Sequence, residues 1–314
     1  MPRVENRLTK LLGCELPIQL APMGSVSVSP GLPLAVAGAG GHAVYPALAL
    51  PPAALEPLLA ALAGRAFGVN FLVPLMNRES LELAAERAPY VDFFLADADS
   101  ALVELVHAAG GVCGWQVETA EEARAAAAAG CDVVIAKASE SGGRKRIDGP
   151  TLLPLLDAVL GAVDVPVIAA GGISTARGVA AAGAAGADAV RVGTRFIAAT
   201  ESDAHPEWVA AILDACAEEA VVSMEFNAGM PVPGPHRVLR RSILAAEALQ
   251  TNEAGVVRLG GAELPVPRFG PQAPTRSSTG AIQAMPFYAG QSAGAVHRIQ
   301  PAAEIVAELA RALS

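Results

Sequence analysis

The stretches Pro166-Val-Ile-Ala-Ala-Gly-Gly172 and Ala187-Asp-Ala-Val-Arg-Val-Gly-Thr194 decide the fold. Val167 to Ala170 and Ala189 to Val192 are apolar on both faces, the pattern of strands in a parallel sheet covered by helices. An Ala-rich stretch over 175–185 reads as the helix between them, so the pair makes one β-α-β unit. Both strands stop at small residues. Gly171 and Gly172 permit a tight turn and close approach of backbone to a ligand, Ser174 is placed to cap the helix, and the helix's free amides favour an anion. Gly193 and Thr194 repeat the arrangement one strand later. Phosphate held by the loops after the last two strands is the habit of the eight-stranded β/α barrel.

Outward from this unit, short apolar runs alternate with amphipathic or Ala-rich ones, the βαβα rhythm of a parallel sheet. Strands are predicted over 18–21, 43–45, 67–71, 93–95, 112–117, 133–137, 167–170 and 189–192. Helices are predicted over 52–63, 78–88, 100–109, 119–129 and 175–185, with a capping-box pattern at Thr119-Ala-Glu-Glu122. The fold class is therefore α/β, a TIM (β/α)8 barrel. After Arg195 the rhythm fails. A helix over 206–215, an apolar stretch over 220–225, a helix over 237–250 and a Pro, Gly and Ser rich run over 265–280 suggest an insertion. Residues 1–203 and 284–314 are expected to form the barrel, and 204–283 a smaller helical insertion or lid. Met285 to Gly294, rich in small residues, is expected to return to the barrel mouth before a last helix over 302–313.

At 314 residues one barrel with an insertion is the better prior than two equal domains. The net charge of −9 argues against nucleic acid or an anionic membrane as partner, since both need a basic face. Gly31 to Leu55 is nearly free of charge, yet Pro33, Gly38, Gly40, Gly41, Pro46, Pro51 and Pro52 break it too often for a membrane span. The N-terminus, with Glu5 early and no apolar core before Leu11, does not read as a signal peptide, so a cytoplasmic location is expected. Cys14, Cys113, Cys131 and Cys216 show no metal-ligand spacing and read as reduced core thiols; no metal site is expected.

Seven segments, in this order, resemble the nitronate monooxygenase family of flavin mononucleotide (FMN) barrel enzymes: Leu20-Ala-Pro-Met23, Ala39-Gly-Gly41, Phe67-Gly-Val-Asn70, Ser139-Glu-Ser-Gly-Gly143, Val167-Ile-Ala-Ala-Gly-Gly-Ile173, Gly193-Thr-Arg-Phe196 and Tyr288-Ala-Gly-Gln-Ser292. The resemblance implies that Ala21, Pro22 and Met23 lie against the flavin ring, that Asn70 bonds it, and that Gly142 and Gly143 line the cleft. It implies that Gly171, Gly172, Gly193 and Thr194 hold the phosphate and that Tyr288, Gly290, Gln291 and Ser292 close over the cofactor. The bland readings are a core Met at a strand end for Met23, and for Asn70 a buried amide bonded to the neighbouring strand.

One departure from the family bears on the chemistry. The family's strand-six loop usually ends Glu-Ala-Gly-Gly-His, and the resemblance makes that His the base that deprotonates a neutral nitroalkane. Here the position is Arg144, a group that stays protonated and only donates, so it cannot act as a base. Deprotonation must move elsewhere or be absent, and turnover of a nitronate, already an anion, is expected to survive where that of a neutral nitroalkane is lost. Lys137, where the family commonly has Gln, adds a cation at a strand end that favours an anionic reduced flavin or an anionic substrate. Lys145 and Arg146 are expected in a solvated loop paired with Glu140 or Asp148. His42, after Gly40-Gly41 and by pattern close to the cleft, His205 and His236 are the candidate replacement bases.

The expected partners are thus a small-molecule substrate and O2, with FMN as cofactor. Other readings of the same residues are a flavin-dependent enoyl-thioester reductase or dehydrogenase, a flavin-binding homologue with altered chemistry, and a barrel that binds a sugar phosphate.

Overall fold

The computed structural model describes residues 3–146, 149–259 and 262–313. Eight parallel strands form the barrel: β1 (Ile18–Leu20), β2 (Ala43–Pro46), β3 (Phe67–Leu72), β4 (Tyr90–Phe94), β5 (Val112–Val117), β6 (Val133–Lys137), β8 (Val167–Ala170) and β9 (Ala189–Val192). β7 (Gly143–Arg144) is a short strand in the loop after β6. The sheet runs in the order β1-β9-β8-β6-β5-β4-β3-β2. A parallel bridge between Gln19 and His42 joins its two edges, with Leu20 N donating to His42 O at 2.8 Å. The expected barrel is present, and four of its strands have the predicted limits.

The helices lie where their start signals put them. Thr119 accepts from Glu122 N at 3.1 Å, but the Glu122 carboxylate reaches Glu118 N at 2.7 Å instead of the cap's own amide, so the capping box is only half formed. The helix Ala176–Ala184 is capped by Thr175, which accepts from Gly178 N at 3.2 Å; Ser174, expected as the cap, donates to Ser292 O.

The helix Arg7–Leu12 packs Leu8 and Leu12 into a cluster with Val44, Tyr90, Val133, Ile135 and Ile168. Tyr90 fills a slot that neighbouring strands leave open: a Cβ on Gly68 would come within 2.3 Å of its ring, and one on Gly114 within 2.2 Å of its hydroxyl. The barrel also buries charge. Arg191 is ion-paired to Asp92 and donates to Gln19 at 2.6 Å, while Asn70 and Gln116 donate to Asp92 Oδ1. Removing one partner of such a pair strands the other charge in apolar surroundings.

Residues 204–283 correct the expectation of a helical insertion. Helices Pro206–Asp214 and Arg240–Ala248 are present, but so are the strands β10 (Ala220–Ser223), β11 (His236–Leu239), β12 (Glu253–Leu259), β13 (Ala262–Pro267) and β14 (Thr279–Gly280). β11 overlaps the start of the stretch read as a helix from Arg237. Its backbone is taken up on both sides: it pairs with β10 and β7, and Leu239 N donates to Phe287 O at 2.8 Å. Tertiary pairing here outweighs local helix propensity. Cys14, Cys113 and Cys131 are buried free thiols as expected, whereas Cys216 is exposed. Among the described residues no helix is long and apolar enough to cross a membrane, and no cluster of His, Cys, Asp or Glu could hold a metal ion.

Replacing Asp92 with Ala is expected to destabilise the fold by about 3–5 kcal/mol, because Arg191 stays charged and buried without its partner. Urea unfolding followed by circular dichroism reads this directly.

Candidate active site

At the C-terminal ends of the strands, the loops after β6, β8 and β9 are drawn together by the closing loop 285–294. Gly290 N donates to Thr194 Oγ1 at 2.9 Å, Gln291 N to Glu140 O at 3.0 Å, and Ser174 Oγ to Ser292 O at 3.2 Å. A Cβ on Gly142 would sit 2.6 Å from the Ala289 carbonyl carbon and Gly290 N, so only glycine allows the strand-six loop to meet the closing loop. Gly171 and Gly172, at φ +113° and +72°, occupy the left-handed region that other residues avoid. A Cβ on Gly193 would meet Ala21 Cβ and Met23 Sδ, both at 3.4 Å. The expected groups Ala21 to Met23, Gly142-Gly143, Gly171-Gly172, Gly193-Thr194 and Tyr288 to Ser292 therefore share one end of the barrel.

Two of the expected residues lie elsewhere or are otherwise engaged. His42 stands before β2, at the N-terminal end of the barrel, with Nδ1 2.9 Å from Gln19 Nε2 and its ring edge-on to Tyr90. Burial and the charge of Arg191 push it down to about 3. It is part of the barrel floor, because the strand it precedes carries the chain away from it toward the mouth. Asn70 is buried and its amide donates to Asp92 on the adjacent strand, the bland arrangement weighed for it from sequence.

Lys137 ends β6 at the mouth, as expected, but its ammonium is engaged. It donates to Arg144 O at 2.6 Å, pairs with Glu118 at 3.3 Å and lies 4.8 Å over the Phe94 ring. Burial lowers its pKa while Glu118 opposes the shift. Lys137 thus fixes the strand-six loop. Lys145, expected in solvent, is buried and donates to Ser139 O at 3.1 Å. Arg146 pairs with Asp97 and Glu122, not with Glu140; Asp148 lies outside the described residues.

Arg144 is half-buried. One guanidinium nitrogen donates to Val232 O, while Nε and Nη1 are buried with no hydrogen-bond partner. Burial lowers its pKa, yet a guanidinium stays charged at any working pH. Across the β7–β11 ladder it stands opposite His236, which stacks on Tyr288 with ring centroids 5.5 Å apart. Ser141 Oγ and His236 Nδ1 are also buried without partners. Buried orphans are rare in native proteins, and four of the nine such atoms among the described residues cluster around this loop. Cationic donors, a hydroxyl and glycine loops that present backbone amides fit a flavin phosphate and an anionic substrate.

The sequence reading did not single out Glu118, Arg237 or Asn227. Arg237 bonds Ser139 O at 2.9 Å and Ala220 O at 2.5 Å, tying β11 to the strand-six loop. The position of Glu118, just past the end of β5, was the available signal, since such positions face a barrel mouth.

The family described as nitronate monooxygenase matches residues 60–312. The chain is 33% identical over 269 residues to the (3aS,4S,5R,7aS)-5-hydroxy-7a-methyl-1-oxo-octahydro-1H-indene-4-carboxyl-CoA dehydrogenase of Rhodococcus jostii, covering 82% of this chain and 72% of that protein. FabK of Thermotoga maritima superposes with a TM-score of 0.78 at 28% identity, covering 98% of this chain and 96% of that one. The nitroalkane oxidase of Streptomyces ansochromogenes superposes with a TM-score of 0.75 at 30% identity, covering 98% and 99%.

Gly142→Ala is expected to push the closing loop off the strand-six loop, because backbone atoms 2.6 Å away cannot yield as a side chain tip does. The variant should lower the melting temperature and purify with less than a tenth of the wild-type flavin, read by absorbance near the flavin bands.

Proposed function

The chain belongs to the nitronate monooxygenase family, and on that footing we propose that it is a cytoplasmic FMN-dependent oxidoreductase that oxidises a nitronate or a similarly small anion with O2. The single observation that carries the substrate charge is Arg144, a guanidinium at the mouth with two buried N–H donors left without acceptors. An oxygen of a nitronate or carboxylate can accept a charge-assisted bond from either of them.

Gly171, Gly172, Gly193 and Thr194 would hold the FMN phosphate, and Ala21, Pro22 and Met23 would lie against the ring. Gly142, Gly143, Tyr288, Gly290, Gln291 and Ser292 would enclose it, and Asn70 would meet it from below while held by Asp92. FMN, when bound, supplies the two-electron acceptor that O2 re-oxidises. Arg144 orients the anion, and Lys137 acts at one remove by holding the Arg144 carbonyl.

A second reading is a dehydrogenase or reductase of a thioester, favoured by the dehydrogenase of a carboxyl-CoA substrate among the relatives. The same cations would then meet the thioester or its phosphates.

The test is anaerobic. Purified yellow protein mixed with propane-2-nitronate should bleach, and mixed with NADPH alone should not. Bleaching by NADPH alone moves the chain to the second reading, and protein without bound flavin overturns the site. Arg144→Ala should weaken nitronate binding at least tenfold, the loss of a charge-assisted bond of about 1.5–3 kcal/mol, measured by titration of the flavin spectrum.

A further inference from the structure

The ring of His236 is held in one tautomer by a side chain far from the usual motif. Asn227 donates through Nδ2 to Met224 O at 2.8 Å and to Gly234 O at 2.9 Å, and its Oδ1 accepts from Gly234 N at 2.9 Å. Those bonds fix which end of the amide is oxygen. The contact between Asn227 Oδ1 and His236 Nε2 at 3.3 Å therefore has the ring as donor. With Nε2 protonated, the neutral ring carries its lone pair on Nδ1, and that atom is buried with no partner.

We propose that His236 Nδ1 is the proton acceptor of this site, taking the α proton of a neutral nitroalkane, with Asn227 as the positioning residue that holds the tautomer. The inference rests on the nitronate-type reading above and extends it to the step before oxidation. The α C–H bond breaks, its proton bonds to Nδ1, and the electron pair moves onto the nitro group to give the nitronate. No electron leaves the pair of molecules in this step, and the anion that forms meets Arg144.

The other basic candidates are excluded by their surroundings. His42 is on the barrel floor, and His205 Nδ1 accepts from Glu207 N at 3.2 Å as a helix cap. Burial raises the pKa of Tyr288, which stays protonated, and its hydroxyl donates to Pro271 O at 2.8 Å. Arg144 has only donors.

The groups that face His236 are Arg144 on β7, Lys137 at the end of β6 and Tyr288 on the closing loop. Burial first, then the two cations, push the ring down to about 4. It is therefore neutral across the working range, with its lone pair free, but a weak base until negative charge develops beside it. The imidazolium that forms is offset by the new negative charge beside it. For neutral substrate, kcat/KM should show no limb near the ordinary His value of about 6.5, and should fall only as the pH drops through about 4.

The experiment compares neutral 2-nitropropane with preformed propane-2-nitronate on the FMN-loaded protein, by anaerobic stopped flow. His236→Gln should lower the ratio of the neutral rate to the nitronate rate by about 100-fold or more, the usual size of a lost general base. Asn227→Ala should lower the same ratio by about tenfold by releasing the tautomer, in keeping with the loss of an orienting partner. An unchanged ratio in His236→Gln overturns the proposal. If nitronate fails to bleach even the wild type, the nitronate reading fails instead, a result the ratio cannot imitate. Independently of activity and of folding of the variants, 15N spectra of the wild-type histidines should show His236 protonated at Nε2 only, titrating near 4. A ring protonated at Nδ1 overturns the proposal.

Discussion

The approach of Gly142 to the Ala289-Gly290 peptide is the constraint on which the site depends. Two backbones at this distance leave no room for a Cβ on either glycine: one on Gly290 would stand 2.7 Å from Glu140 O. Because the strand-six loop and the closing loop touch directly, the bonds from Gly290 to Thr194 and from Gln291 to Glu140 can form together. They join the ends of β6 and β9 to a segment 151 and 96 residues further on, counted from Glu140 to Gln291 and from Thr194 to Gly290. Arg144 and Tyr288 then become neighbours through chain positions that share no local signal. Ordering these glycines costs backbone entropy, which the contacts between the two loops must offset.

The barrel separates two kinds of buried polarity. Below the mouth, Arg191, Asp92, Gln19, Asn70 and Gln116 bond one another and tie five strands together, although Arg191 Nη1 is left without a partner. At the mouth, Arg144, Ser141 and His236 leave donors and acceptors open. A buried group left open is destabilising by about 1–3 kcal/mol, so a cluster of them at the mouth gains most from a bound anion. Lys137 and Lys145 belong to neither kind. Both are buried at the mouth, yet their ammonium groups bond backbone carbonyls of the strand-six loop and so serve its shape.

The sequence was most legible where one residue's neighbours in the chain are also its neighbours in space. Val167 to Ala170 and Ala189 to Val192 are strands because both faces are apolar, and that pattern lies entirely within each run. Gly171 and Gly172 were legible for the same reason. Lys145 was not: its burial depends on a turn that aims the ammonium back at Ser139 O, and a run of three basic residues looks solvated from its composition alone. β11 was misread as helix because its pairing partners lie in β10, in β7 and at Phe287, all distant in sequence. His42 follows a glycine pair as a cleft residue does, but the loop precedes its strand, and only the direction of that strand places it on the floor.

Arg144, where the resemblance implies a histidine, changes what the neighbours must do. A guanidinium stabilises an anion at all working pH values but cannot receive a proton, so recognition and deprotonation fall to different side chains. The antiparallel pairing of β7 with β11 puts the second side chain directly across from the first. In a histidine alone the two tasks compete, since protonating the ring to hold an anion removes the lone pair that accepts a proton. In the arrangement here burial first, and then the permanent cation, depress the neighbour and keep it neutral. The segment 204–283 supplies both His236 and Asn227, and with them the accepting atom that Arg144 cannot offer.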